Sequence, residues 1–173
     1  MAVIEAIATT YLEAPVASVT FSSLGSYEHL QLRCSIMGGR DGSTNNTMLL
    51  LNGDTGTNYS NRSMFASVGT AYASAYTGLP GFFAAYNTTG SMSHPGGAMY
   101  ATGIFDILDY QNTNKNTMVA CHFGAKLGTY WYVYDSAGQW NNTAAVTSVT
   151  VIMNPTYDTF RGSEITLFGL NSS

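Results

Sequence analysis

Phe21-Ser-Ser-Leu-Gly-Ser-Tyr-Glu-His-Leu-Gln-Leu-Arg-Cys-Ser-Ile-Met37 is followed, after a polar loop, by Met48-Leu-Leu-Leu-Asn-Gly-Asp-Thr-Gly-Thr-Asn-Tyr59 and Ser60-Asn-Arg-Ser-Met-Phe65. The first run alternates strictly: Leu30, Leu32, Cys34 and Ile36 share one face, and Gln31, Arg33 and Ser35 the other. Period two with one apolar face predicts a half-buried strand. Met48 to Leu51 is continuously apolar, as expected of a strand covered on both faces. Asn52-Gly53 and Asp54-Thr-Gly56 read as turns, and Tyr59–Phe65 as the next strand.

Working outward, strands are expected at Val19–Phe21, near Leu79–Ala85, at Met99–Asp109, Thr117–Lys126, Thr129–Asp135, Thr147–Met153 and Ser163–Leu170. Gly38–Asn46, Asn112–Asn116 and Gly128 read as loops or turns, and His94-Pro95-Gly96-Gly97 as another. Ala66–Met99, rich in Ala, Ser, Gly, Tyr and Thr, gives only the one strand and an excursion around it. Residues 1–16 are apolar, short and end at Pro15, and are read as an N-terminal arm on a domain spanning 17–173. No segment carries an i, i+3, i+4, i+7 apolar stripe with caps. Eight to ten strands joined by Gly/Asn turns predict an all-β fold, a single antiparallel β-sandwich of jelly-roll type. There is no repeat and no second domain.

Composition agrees. Only 9% of the 173 residues are charged while 13% are aromatic, with 12 Tyr and 18 Gly. That is the make-up of a turn-rich β shell with too much apolar content for disorder. The net charge is −4, and the six basic residues (Arg33, Arg40, Arg62, Lys115, Lys126, Arg161) are scattered, so nothing tracks a phosphate backbone and no nucleic-acid partner is expected. The N-terminus lacks a basic region before its apolar residues, and no apolar run reaches the ~20 residues of a membrane span, so neither Sec export nor a membrane is expected. The Asn-x-Ser/Thr triplets at Asn45, Asn58, Asn61, Asn87 and Asn141 are then not glycosylation sites. Cys34 and Cys121 both fall in the apolar phase of strands and read as free, core-packed thiols; no CxxC spacing suggests zinc.

No catalytic constellation emerges. His29, His94 and His122 have no partner at a ligand spacing. Asp106 and Asp109 fall on opposite faces of one strand, and Asp106 is expected to bond backbone or a Tyr hydroxyl. Asn52-Gly-Asp-Thr-Gly-Thr-Asn58 has too few carboxylates for calcium and reads as an Asx-turn. Neither an enzyme nor a cofactor is expected. The sharpest surface feature is Tyr130-Trp-Tyr-Val-Tyr134: by phase, Trp131 and Val133 are assigned to the core, and Tyr130, Tyr132 and Tyr134 to the outer face. That face is open to three readings: cover within the chain, a subunit interface, or a ligand platform. A sparsely charged surface, together with Ile4, Ile7, Tyr11 and Leu12 in the arm, predicts a homo-oligomer, a trimer held by the arm and the tyrosines.

The run from Phe21 to Arg33, with its Phe-Ser-Ser-Leu opening and Tyr-x-His-Leu-Gln-Leu-Arg strand, then Leu51-Asn-Gly-Asp-Thr-Gly-x-Asn-Tyr59 and Ile104-Phe-Asp-Ile-Leu-Asp-Tyr110 before Asn-Thr-Asn-Lys-Asn116, resembles a small β-sandwich module of tailed-bacteriophage virion proteins. The resemblance covers about Val16 to Leu170, and its motifs mark a scaffold rather than a chemistry. It implies a structural protein of the virion, assembled in the host cytoplasm. The favoured role is a capsid decoration (cement) protein gripping the major capsid protein or another virion protein. The alternative is a receptor-binding module of a tail or fibre that recognises a host glycan.

Overall fold

The structure, a computed structural model, describes residues 3–38, 46–67, 69–85, 99–127, 130–153, 157–159 and 161–171. The described residues form twelve strands and no helix: β1 (Val3–Tyr11), β2 (Ser18–Phe21), β3 (His29–Ile36), β4 (Thr47–Leu51), β5 (Tyr59–Ser67), β6 (Thr70–Leu79), β7 (Phe82–Ala85), β8 (Ala101–Leu108), β9 (Thr117–Leu127), β10 (Tyr130–Trp140), β11 (Val149–Met153) and β12 (Glu164–Asn171). They make an eight-stranded sheet, β1-β12-β3-β8-β9-β10-β5-β6, and a four-stranded sheet, β2-β11-β4-β7, antiparallel throughout.

The strand order is that of a jelly roll. Setting aside β5, β6, β9 and β10, the remaining eight strands fall into two interleaved sheets, β1-β12-β3-β8 and β2-β11-β4-β7, with the first strand beside the last and the second beside the second-last. The extra four are two hairpins inserted after β4 and after β8. They extend the large sheet beyond β8 in the order β9, β10, β5, β6. The expected sandwich is therefore present, with more strands than its pattern gives.

Alternation builds the core as the sequence proposes. Leu30, Leu32, Cys34 and Ile36 of β3 are buried, beside Phe105 and Ile107 of β8 and Val119, Cys121 and Phe123 of β9. Every residue of β4 is buried, as its unbroken apolar run requires. Phe123 lies over Gly103, where a Cβ would stand 2.4 Å from its ring, and meets Phe105 edge-on at 5.1 Å. Phe105 in turn meets Phe82 of the small sheet at 6.4 Å, so edge-to-face rings bridge the two layers. Cys121 Sγ and Ser136 Oγ both donate to the carbonyl of Ala84 in β7, at 3.2 and 3.1 Å. Both cysteines are free, and burial pushes the Cys121 thiol up to about 12 and that of Cys34 higher still.

Residues 3–11, expected within an arm, are the edge strand β1 of the large sheet, paired with β12 from Val3↔Asn171 to Tyr11↔Glu164. Their partner lies at the far end of the chain, so no local pattern announces the pairing. Leu12 is buried in the core, Ile7 packs against it at a bulge, and Ile4 and Tyr11 are exposed.

Candidate functional site

The outer face of the large sheet, turned away from the small sheet, holds a groove of about 780 Å³. Cross-strand register explains its shape. Ala75, Arg62, Ala137, Ala120, Asp106 and Gln31 lie in one row across β6, β5, β10, β9, β8 and β3. The next row is Ala73, Met64, Asp135, His122, Ile104 and Arg33. Four alanines supply a low floor, and the longer side chains form the walls. The result is a concave, mostly apolar surface edged by a few polar side chains, the make-up of a ligand-binding surface.

Two polar systems line the groove. Arg33 Nε donates to Gln31 Oε1 at 3.0 Å, and Gln31 Nε2 donates to Asp106 Oδ1 at 2.8 Å. The expected partner of Asp106, backbone or a Tyr hydroxyl, is thus replaced by a glutamine amide one strand away. Asp109 sits in the turn beyond β8, with its backbone N–H donating to His29 Nδ1 at 3.0 Å and its carboxylate held by Lys115. That bond lowers the Asp109 carboxyl below its ordinary value. The second system is His122 Nδ1 and Asp135 Oδ1, 2.6 Å apart, with side chains 63% and 59% exposed.

A His–Asp pair invites a catalytic reading, and the strand geometry argues against it. The adjacent nucleophile candidates, Cys121 and Ser136, alternate to the inner face, where both bond the Ala84 carbonyl. The buried Cys121 thiol, at about 12, holds its proton at neutral pH. Among the described residues no three His, Cys, Asp or Glu side chains gather as a metal-binding set. His94 lies outside the described residues. The His122–Asp135 pairing was legible in one way: counting outward from the Leu127↔Tyr130 end of the hairpin pairs 122 with 135.

The tyrosine run is corrected by the structure. Tyr134 is 1% exposed and Tyr132 packs on the core, whereas Trp131 is 66% exposed and Val133 stands outside with it. The assigned phase is inverted. β10 continues to Trp140, whose ring is buried on the same face as Tyr132, Tyr134 and Ser136, while Asp135 shares the outer face with Trp131 and Val133. β10 pairs with both neighbours without a bulge, so the buried Trp140 and the exposed Asp135 fix the phase of every residue back to Trp131. Tyr134 then stacks on Phe65 at 4.8 Å, and Phe65 on Tyr72 at 4.7 Å. Trp131 carries the Lys126 ammonium over its ring at 5.2 Å. Tyr130 belongs to β10 by its backbone, and its side chain lies outside the described residues.

The two sequence motifs are structural ties. Asn52 and Gly53 adopt φ of 55° and 65°, the pair of left-handed residues of a type I′ turn, and Asp54 N–H closes it on Leu51 C=O at 3.0 Å. Asp54 forms the expected Asx-turn, accepting from Gly56 N–H at 2.8 Å, and also accepts from Asn58 Nδ2 at 2.9 Å and Trp140 Nε1 at 2.6 Å. The Trp140 bond, then that of Asn58, draws its carboxyl below the ordinary value. Tyr59 OH accepts from Leu51 N–H at 2.9 Å. In the second motif, Tyr110 OH donates to Gly25 C=O at 2.8 Å, fastening the β2–β3 loop.

Against known proteins, the chain matches no protein-family model, no curated protein and no solved structure. No helix among the described residues is long and apolar enough to cross a membrane.

Proposed function

We propose that the chain is a non-enzymatic structural protein of a tailed-bacteriophage virion, a capsid decoration protein that grips the major capsid protein through the outer face of its large sheet. The observation that carries this is the character of that face. It is wide, and beside its charged residues it presents Trp131, Val133, Met64, Met118 and Leu108 to solvent. Apolar side chains spread over one sheet face are the mark of a surface that meets another protein. The phage assignment rests on the sequence motifs, and the jelly-roll order is compatible with it.

A second reading has its own observation. The groove combines amide, guanidinium, imidazole and carboxylate groups around an alanine floor, which suits the hydroxyls of a host glycan and would belong to a tail or fibre tip. Gold-labelled antibody on intact virions separates the two. Label over the head is expected. Label confined to the tail tip would overturn the decoration role and favour glycan recognition. Turnover of a host polysaccharide by the purified protein, abolished by Asp106→Asn, would overturn the non-enzymatic reading.

A further inference from the structure

The four sheet edges are defended unequally. The edges of the small sheet, β2 and β7, are four residues each. In the large sheet, β1 carries Glu5 and a bulge between Ala6 and Ala8. Short strands, charges and bulges all discourage another strand from adding on. The opposite edge, β6, is long and uncharged, and its bulge, at Gly78, lies outside residues 72–76. It runs for ten residues, Thr-Ala-Tyr-Ala-Ser-Ala-Tyr-Thr-Gly-Leu, with no charge and no proline, and Thr70–Ala73, Ala75, Thr77 and Gly78 are exposed. Among the described residues, β5 is its only strand neighbour.

The sequence of this edge is a palindrome. Tyr72-Ala73-Ser74-Ala75-Tyr76 reads the same in both directions. We infer that β6 pairs antiparallel with β6 of a second copy of this chain, about a two-fold axis through Ser74. In that register Tyr72 faces the partner's Tyr76, Ala73 faces the partner's Ala75, and the two Ser74 hydroxyls meet. Within residues 72–76 every position opposes its own residue type, and aromatic–aromatic and hydroxyl–hydroxyl pairs are favourable cross-strand combinations. A one-residue slip would set each tyrosine against alanine or threonine and Ser74 against alanine. The interface is isologous and consumes both β6 edges. The joined sheet ends on the two β1 strands with their Glu5 and bulge, so growth stops at two copies. Ala73 and Ala75 also line the outer groove, so pairing brings the two grooves together across the axis.

Sedimentation equilibrium of the full chain at micromolar concentration is expected to give twice the 18.5 kDa chain mass. Ala73→Lys with Ala75→Lys places lysine against lysine at both pairs, and the mass should halve. Ala73→Glu with Ala75→Lys places opposite charges there, and the dimer should survive. The second variant controls for folding and added bulk, with far-UV circular dichroism checked for both. A monomer or trimer for the unaltered chain, or a dimer indifferent to both variants, would overturn the proposal.

Discussion

Two aspartates in this molecule each meet a ring nitrogen at 2.6 Å, Asp54 at Trp140 Nε1 and Asp135 at His122. The distances are the same and the consequences differ. Trp140 is buried and stacked on Tyr59 with centroids 6.4 Å apart, and Asp54 gathers three donors from three parts of one loop-and-strand junction. His122 and Asp135 stand more than half exposed on the open sheet face. Water reaches both partners of the second pair, whereas in the first it reaches the carboxylate but not the buried indole ring. A short polar contact is thus a structural tie or a surface feature according to what encloses it.

The largest effect should come from removing the enclosure. Trp140→Ala deletes the indole from the core along with the Asp54 bond, and should lower unfolding stability by about 3–5 kcal/mol in urea melts. Tyr59→Phe keeps the ring and removes the hydroxyl that receives the buried Leu51 N–H. An orphaned buried donor should cost about 1–3 kcal/mol.

Asp54→Asn tests the charge. The junction is partly solvated, so a loss of about 1 kcal/mol is expected at neutral pH. The folded carboxyl lies below its ordinary 3.8, so its contribution is present above that value and is lost as pH falls through the folded one. The gap between the parent and Asp54→Asn should therefore close on the acid side of 3.8. A gap unchanged by pH would show that shape, rather than charge, matters there. The smallest effect belongs to the exposed pair: His122→Ala should shift stability by no more than about 0.5 kcal/mol. A loss comparable to that of Tyr59→Phe would erase the contrast.

Much of this was legible in the sequence. The phases of β3, β8 and β9 follow from one apolar and one polar face, which leave a single way to sit on a core. The Asp54 turn follows from Asn-Gly and Asx chemistry confined to a few neighbouring residues. The buried thiols follow from the company Cys34 and Cys121 keep along their strands.

Other features were decided by tertiary structure. In Tyr130–Tyr134 both faces are aromatic or branched, so hydrophobicity alone does not choose between them; the choice came from Trp140 and Asp135 farther along the strand. β6 is built of Ala, Ser, Thr and Tyr, whose weak contrast hides its alternation until β5 pairs with it. β1 exists as a strand because β12, at the far end of the chain, supplies its hydrogen bonds. The groove exists because six strands, distant in sequence, bring alanines and polar side chains into adjacent rows. Local alternation fixes which residues share a face; only long-range pairing fixes which strands are neighbours, and therefore what each face meets.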